Sequence, residues 1–286
     1  MPTLRVSLLG TPFALDCADP GLATGLARLL ASFRTAAGAA DPGAGGAPAP
    51  GAAVRIAVAP DTDIGGVLAA LNAAALARAD YFAVHAGVVA AGGRAVAFPG
   101  PSGIGKTTLT VACLLAGLDY GSDEALCLDW STGAVRPYPR PLALTPSAAE
   151  LAGTYLTGTR PPGAGPPGIG PPGTGPPGAD QPGAVRTADE IVLAVADLGA
   201  EVAAEPLALA HVLLPRRTGG SAALLPAPRG AAVAELLRRS FTAHHRPGQA
   251  FDLAHRVVAA AGTWYLDLGH PRDAAALVAG LINRPG

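Results

Sequence analysis

The chain has 286 residues, of which 50% are hydrophobic, and its 20 basic and 21 acidic residues leave a net charge of −1 at neutral pH. This length and apolar content are sufficient for one large α/β domain or two small ones, without disulfides or a structural metal. The arginines are spread along the chain, which argues against a nucleic-acid-binding face. Three widely spaced cysteines, Cys17, Cys113 and Cys127, are expected to be buried thiols.

The first residues, "MPTLRVSLLGTPFALDC", lack a charged segment followed by a long apolar one, and the chain has no apolar run of the roughly eighteen residues needed to span a bilayer. We therefore expect a soluble, cytoplasmic protein.

Residues 1–80 are predicted to form a small N-terminal α+β region. The stretches "LRVSLL" and "FALDC" predict a strand pair, and "GLATGLARLLASF" predicts a helix. An Ala/Gly/Pro linker follows at 35–52, after which "VRIAVAP" predicts a strand and "IGGVLAALNAAALARA" a helix.

Residues 81–286 are predicted to form a nucleotide-binding domain that begins with two strands joined by a glycine turn, "YFAVHAGVVAAGGRAVAFPG". A helix, "KTTLTVACLLAG", and several short strands follow. A Pro/Gly repeat then interrupts the domain with a loop at 158–186; its period of five excludes collagen, and it is either a spacer or a partner-binding segment. The remaining strands and helices are predicted at "LAHVLLP", "AALLP", "GAAVAELLRRSFTAH", "AFDLAHRVVAAAG", "WYLDLG" and "PRDAAALVAGLI".

The pattern Gly-x-x-x-x-Gly-Lys-Thr in "FPGPSGIGKTTLT" contains the only lysine of a chain with nineteen arginines. Such a composition indicates that Lys106 serves a site that arginine, a broad planar fork, cannot serve. In loops of this pattern, backbone N–H groups surround nucleotide phosphates, the lysine reaches the β- and γ-phosphates, and the threonine hydroxyl binds Mg²⁺. The pattern requires a strand before it and a helix after it, and both are predicted here.

Two acidic residues, Asp123 and Glu124, follow the loop helix in "GLDYGSDEALCLD". Adjacent carboxylates on an extended segment point to opposite sides, so one can hold a metal while the other faces a substrate. Phosphoryl transfer to a hydroxyl requires this division of roles. Without the loop nearby, the same pair is typical of a solvated turn. His85, on the strand that leads into the loop, is either a site residue or a structural histidine.

Three arginines are weaker candidates for site residues. Arg216 and Arg217 end a predicted strand, where they either clamp a phosphate or the substrate, or form a solvated strand end, which is the favoured interpretation. Arg140 in "YPRPLAL" is weaker still.

The segment "HAGVVAAGGRAVAFPGPSGIGKTTLTVACLLAGLDYGSDE" resembles the HPr kinase/phosphorylase group, and more closely the HPr-kinase-related serine kinases. The resemblance is specific over residues 81–145, and "LARLLASFR" and "GTWYLDLGHPRDAAALVAGL" are similar to the ends of those relatives. It implies a phosphoenolpyruvate carboxykinase-like fold. This is an α/β P-loop kinase core with a mixed sheet, a small N-terminal α+β part and a helical C-terminal part.

By position, the resemblance implies Lys106 on the β- and γ-phosphates, Thr107 and Glu124 on Mg²⁺, Asp123 as the acid/base, and His85 near the transferred phosphate. The residues it implies for binding the nucleotide phosphates are Gly100, Pro101, Ser102, Gly103, Ile104, Gly105, Lys106, Thr107 and Thr108. Glu124 stands where HPr kinases have a second aspartate, and their glycine-rich substrate loop is not recognisable. HPr is therefore not the expected substrate.

These observations predict an ATP-dependent, Mg²⁺-requiring kinase that transfers the γ-phosphate to a hydroxyl of a peptide, a protein or a small molecule. A serine of a ribosomally made peptide precursor is one candidate, because related kinases modify such peptides. Neither nucleic acid nor a membrane is an expected partner. The sequence does not decide between a monomer and a homo-oligomer. The alternatives are a nucleotide hydrolase without an acceptor and a non-catalytic nucleotide-binding sensor or scaffold.

Overall fold

A computed structural model describes the chain at residues 2–33, 53–59, 62–145, 148–151, 185–186 and 190–283. The predicted linker at 35–52 lies outside these residues, and so does the predicted loop at 158–186 as far as residue 184. The last two residues of that predicted loop, Val185–Arg186, form a short strand that pairs with the strand after it.

The described strands are β1 Thr3–Leu8, β2 Thr11–Cys17, β3 Val54–Val58, β4 Phe82–Ala91, β5 Arg94–Pro99, β6 Asp119–Ser122, β7 Ala125–Leu128, β8 Val135–Arg136, β9 Leu142–Leu144, β10 Val185–Arg186, β11 Ile191–Leu193, β12 Ala208–Arg216, β13 Ala223–Pro226 and β14 Gly262–Asp267. The labelled α-helices are α1 Pro20–Leu29, α2 Ile64–Arg78, α3 Lys106–Leu115, α4 Arg229–Arg238, α5 Pro247–Ala260 and α6 Pro271–Ile282, and residues 148–151 are also helical. Within the described ranges, no helix has the length and apolar character needed to cross a membrane.

An eight-stranded sheet forms the centre of the protein, in the order β13-β14-β12-β5-β4-β7-β8, with β6 also paired to β4. Strands β5, β12 and β14 run parallel to one another, while β4 is antiparallel to β5, β6 and β7. The predicted α/β class with a mixed sheet is therefore confirmed. The predicted hairpin of β4 and β5 is also confirmed, with Gly92 and Gly93 in its turn at positive φ.

Helices cover both faces of this sheet. Helices α4 and α5 pack on one face, against Val84, Ala86 and Val88 of β4, and helices α3 and α6 pack on the other, against Val89. Because successive residues of a strand point to opposite faces, β4 contributes to both cores and is apolar almost throughout.

The N-terminal region forms a second layer. Strands β1 and β2 form the predicted hairpin, β3 lies parallel to β2, and the core beneath them includes α1 and α2. This core is continuous with the central sheet, because Ala83, Ala125 and Cys127 belong to it. The predicted division at residue 80 stays a prediction.

The helix predicted from "GAAVAELLRRSFTAH" ends earlier than expected, at Arg238. The chain then runs beside β4: His85 N–H donates to the Arg239 carbonyl (2.8 Å), and Phe241 N–H donates to the Ala83 carbonyl (2.8 Å). Ser240 Oγ also donates to the Ala83 carbonyl, at 3.0 Å. These bonds replace helical ones, and they place Arg239 and Phe241 next to His85.

Candidate functional site

The parallel strands β5, β12 and β14 end at the same edge of the central sheet. Helix α3 follows β5 and helix α6 follows β14, both on the same face, whereas the loop after β12 leads to the edge strand β13, and a crevice lies among these three connections. Ligands of open α/β sheets bind in such a crevice, beyond the carboxyl ends of the strands. A cavity of about 580 Å³ lies there, and its lining includes Gly105, Thr108, Arg217, Gly219 and Leu268.

The glycine loop, residues 100–105, joins the end of β5 to the start of α3, as the sequence predicts. Gly103 and Gly105 have φ of +78° and +116°, which residues with a side chain rarely adopt. Gly105 is the N-cap of α3, and no side chain caps this helix end. The first N–H groups of the helix, together with its dipole, therefore face the crevice and favour an anion.

Lys106 is only 6% exposed, although it carries a charge. Its ammonium donates to the carbonyl oxygens of Gly100 (3.0 Å) and Pro101 (2.9 Å). Burial lowers its pKa, and Arg239 lowers it further, while Glu124 and Asp123 act in the opposite direction. Within the described part of the chain, no carboxylate lies within ion-pair distance of this ammonium. A buried cation held only by neutral carbonyls suits a site that receives an anion.

Arg217 holds the glycine loop from the outside. Its Nε donates to the Ile104 carbonyl at 3.1 Å, and its terminal nitrogen donates to the Gly103 carbonyl at 3.0 Å. Arg216 instead pairs with Asp267 at 2.7 Å. Arg217 is exposed to solvent and binds the carbonyl oxygens of the glycine loop, and the clamp on a phosphate or substrate stays a prediction.

Asp123 and Glu124 lie in a bend between β6 and β7, and not on an extended segment as the sequence argument assumed. Their side chains consequently do not point to opposite sides of a strand. Arg140 Nη1 donates to Glu124 Oε2 at 2.8 Å, and Arg140 Nε lies 3.9 Å from Asp123 Oδ1. The two carboxylates therefore converge on one guanidinium.

Asp123 is the more enclosed of the two carboxylates, and its Oδ2 lies 3.4 Å from the Thr107 hydroxyl. Its Oδ1 accepts a hydrogen bond from the Tyr120 hydroxyl at 3.0 Å, and its N–H donates to that hydroxyl at 3.1 Å. Burial raises the pKa of Asp123, with a further contribution from Glu124, while Arg140 and the Tyr120 bond oppose the shift. The predicted acid is thus beside the predicted magnesium-binding hydroxyl.

His85 lies on β4 at the edge of the same cluster. Its Nδ1 is 3.1 Å from the Glu124 carbonyl oxygen and 3.6 Å from Glu124 Oε1. Burial and the nearby Lys106 lower the pKa of His85, and Glu124 raises it. Strand β4, the start of α3 after the glycine loop, and the bend therefore bring together the five residues that were predicted to act in catalysis or metal binding: His85, Lys106, Thr107, Asp123 and Glu124.

Arg140 is the site residue that sequence reasoning undervalued. It lies on the segment after β8, which is held by the N–H of Tyr138 donating to the Gly121 carbonyl (2.8 Å) and the Tyr138 hydroxyl donating to Asn72 (2.9 Å). Its own carbonyl lies 3.0 Å from the Tyr120 hydroxyl. The only available signal was one arginine between two prolines, which has no spacing relation to the acidic pair.

A divalent cation has hard oxygen atoms available here, from the Thr107 hydroxyl and the carboxylates. Among the described residues there is no cluster of three or more His, Cys, Asp or Glu side chains that could hold a metal by themselves. Mg²⁺ is commonly bound by one or two protein ligands together with substrate phosphates, so the residues fit a metal that arrives with a nucleotide.

No protein-family model matches the sequence, and no curated protein matches it.

Proposed function

We propose that the protein is an ATP-dependent phosphotransferase, a kinase with a P-loop core of the phosphoenolpyruvate carboxykinase type, that moves the γ-phosphate to a hydroxyl. One observation carries the proposal. The chain's single lysine is buried at the start of α3, the hydrogen bonds of its ammonium to described residues all go to carbonyl oxygens of the glycine loop, and two carboxylates lie on the neighbouring bend.

The nucleotide phosphates fit the glycine loop and the first turn of α3. The positive φ angles of Gly103 and Gly105 open the loop, and the uncapped helix end supplies N–H donors and a favourable dipole. Lys106 contributes the charge that balances the β- and γ-phosphates. The cavity of about 580 Å³ beside Gly105 and Thr108 is large enough to take the nucleoside part.

A magnesium ion would be held by the Thr107 hydroxyl and one of the two carboxylates, with nucleotide phosphates completing its ligands. When bound, it neutralises negative charge on the phosphates. Phosphoryl transfer depends mainly on positioning and electrostatic stabilisation, and the described residues supply both: cations at Lys106 and Arg140, and hydrogen-bond donors on the loop.

The acceptor is proposed to be a hydroxyl, and a serine of a peptide or protein in the first place. A hydroxyl nucleophile needs a base within hydrogen-bonding reach, and a carboxylate beside the phosphate site provides one. The resemblance to HPr-kinase-related serine kinases supports the same acceptor class.

The test is to incubate the protein with γ-labelled ATP and Mg²⁺ across a panel of serine-containing peptides, proteins and small hydroxyl compounds. We expect label to appear in an acceptor. Label recovered only as inorganic phosphate would indicate the hydrolase, and MgATP binding without turnover would indicate the sensor. Absence of MgATP binding in calorimetry would contradict all three. A Lys106→Met variant serves as the control for contaminating kinases.

A further inference from the structure

The two neighbouring acids differ in what can reach them. The side chain of Asp123 is 4% exposed, whereas those of Glu124 and His85 are 22% and 23% exposed. A group that takes a proton from an acceptor must contact that acceptor's hydroxyl oxygen. A serine presented by a peptide reaches a partly exposed carboxylate more readily than one enclosed by protein on nearly all sides.

The surroundings of Asp123 belong to the nucleotide side of the site. Its Oδ2 lies 3.4 Å from the Thr107 hydroxyl, in the first turn of the helix that follows the glycine loop. Its other oxygen is occupied by the Tyr120 hydroxyl at 3.0 Å. Asp123 therefore supplies the carboxylate oxygen that lies beside the predicted metal-binding hydroxyl of Thr107.

The surroundings of Glu124 are different. One carboxylate oxygen accepts a hydrogen bond from Arg140 at 2.8 Å, and the other lies 3.6 Å from His85 Nδ1. Among the described residues, no hydrogen bond joins Glu124 to Thr107, whose hydroxyl instead lies beside Asp123. Its carboxylate is held between two basic groups at the more open side of the bend.

We infer that the roles expected from the resemblance are exchanged: Asp123, with Thr107, binds the divalent cation, and Glu124 is the base for the acceptor hydroxyl. The inference rests on the proposed function and adds to it an assignment for each acid. It departs from the sequence prediction, which made Asp123 the base and Glu124 a metal ligand.

The chemical step balances as follows. The acceptor oxygen forms a bond to the γ-phosphorus while the bond from that phosphorus to the β,γ-bridging oxygen breaks, and ADP leaves with that bond's electron pair. The acceptor's proton passes to the Glu124 carboxylate and is later released to water. No oxidant or further reactant is needed.

Metal binding, measured without turnover, separates the two assignments. Mn²⁺ is titrated into the protein–ADP complex and followed by electron paramagnetic resonance for the wild type, Asp123→Asn, Glu124→Gln and Glu205→Gln. Glu205 is the matched control, because it also pairs with an arginine, Arg136, outside the cluster. We expect Asp123→Asn to weaken Mn²⁺ binding by at least about tenfold, because an amide is a poorer ligand than a carboxylate for a hard cation. Glu124→Gln and Glu205→Gln should stay within about twofold of the wild type.

Turnover supplies the second readout. Single-turnover loss of the γ-phosphate, with the best acceptor of the panel or with water, should fall roughly 10²–10⁴-fold in Glu124→Gln, while MgATP affinity is unchanged. Weakened Mn²⁺ binding in Glu124→Gln, or wild-type Mn²⁺ binding in Asp123→Asn, would overturn the inference.

Misfolding of a variant, failure of the proposed function and failure of this assignment give different results. If thermal unfolding shows that Asp123→Asn does not fold, the Mn²⁺ affinity of Glu124→Gln alone decides, since the opposite assignment requires it to fall. If the wild-type protein does not bind Mn²⁺–ADP, the proposed function fails, and this assignment fails with it. If the wild type binds and the variants show the reverse pattern, only this assignment fails.

Discussion

At the scale of single residues, burial decides which charged side chain a position can accept. Lys106 is enclosed at the start of α3, and its ammonium lies within 3.0 Å of the Gly100 carbonyl and 2.9 Å of the Pro101 carbonyl. A guanidinium is wider and planar, so it cannot place a single charge between the same two oxygen atoms without moving the loop. Each lost hydrogen bond to a charged group costs about 1.5–3 kcal/mol.

We therefore expect both Lys106→Met and Lys106→Arg to raise the Kd for MgATP by at least about tenfold in calorimetry. The control is Arg78→Lys, a basic exchange on α2 whose wild-type side chain bonds only the Ala74 carbonyl. That variant should bind MgATP like the wild type. Wild-type affinity in Lys106→Arg would remove the steric explanation for the lone lysine.

At the scale of elements, the loop after β12 controls the shape of the loop after β5. Arg217 holds the carbonyl oxygens of Gly103 and Ile104. In a trans peptide, the N–H of the next residue points away from the carbonyl of the one before it. Fixing the Ile104 carbonyl therefore turns the Gly105 N–H to the opposite side, and no acceptor for that N–H occurs among the described residues.

Arg217→Ala should thus weaken MgATP binding by about tenfold or more, while kcat at saturating ATP changes little. The neighbouring variant Arg216→Ala is a matched control, because that arginine pairs with Asp267 and stacks on the Tyr265 ring. The measurement is the Kd for MgATP and the initial-rate kinetics of Arg217→Ala, compared with those of Arg216→Ala. Equal ATP affinity in the two variants would show that Arg217 does not shape the loop.

At the scale of the whole molecule, the N-terminal layer and the central sheet share one core. Cys17 of β2 and Cys127 of β7 both belong to it, whereas Cys113 of α3 lies in the core on the α3 and α6 side of the central sheet. All three cysteines are free and buried, as the sequence predicts. Burial raises the pKa of Cys127 to about 12, and it also raises the pKa of Cys17. Since the thiolate is the reactive form, both should be inert in the folded protein.

Pulsed alkylation along a guanidinium titration, with peptide mapping by mass spectrometry, tests the shared core. We expect no labelling of the native protein at pH 8, followed by labelling of Cys17 and Cys127 at the same midpoint. Cys113 reports the other core in the same samples. Labelling of Cys17 at clearly lower denaturant than Cys127 would instead favour residues 1–80 as an independently unfolding domain.

Local patterns in the sequence were sufficient for the elements that hold the site. Alternating and periodic apolar residues, with glycines between them, predicted the β4–β5 hairpin, the glycine loop and α3, because such signals depend on neighbours a few residues apart. The same patterns placed His85, Lys106 and Thr107 on those elements, and the structure brings them together with Asp123 and Glu124.

Tertiary structure decided what these residues contact. Arg217 reaches Ile104 of the glycine loop across 113 positions of sequence, Arg140 reaches Glu124 across 16, and Ser240 bonds to Ala83 across 157. The bend at Asp123 and Glu124 has local hydrogen bonds, from the N–H groups of Glu124 and Ala125 to Ser122 Oγ, whereas the early end of α4 depends on long-range contacts. No short-range pattern encodes them, because a hydrogen bond between distant segments forms only after the packed core has placed their backbones side by side.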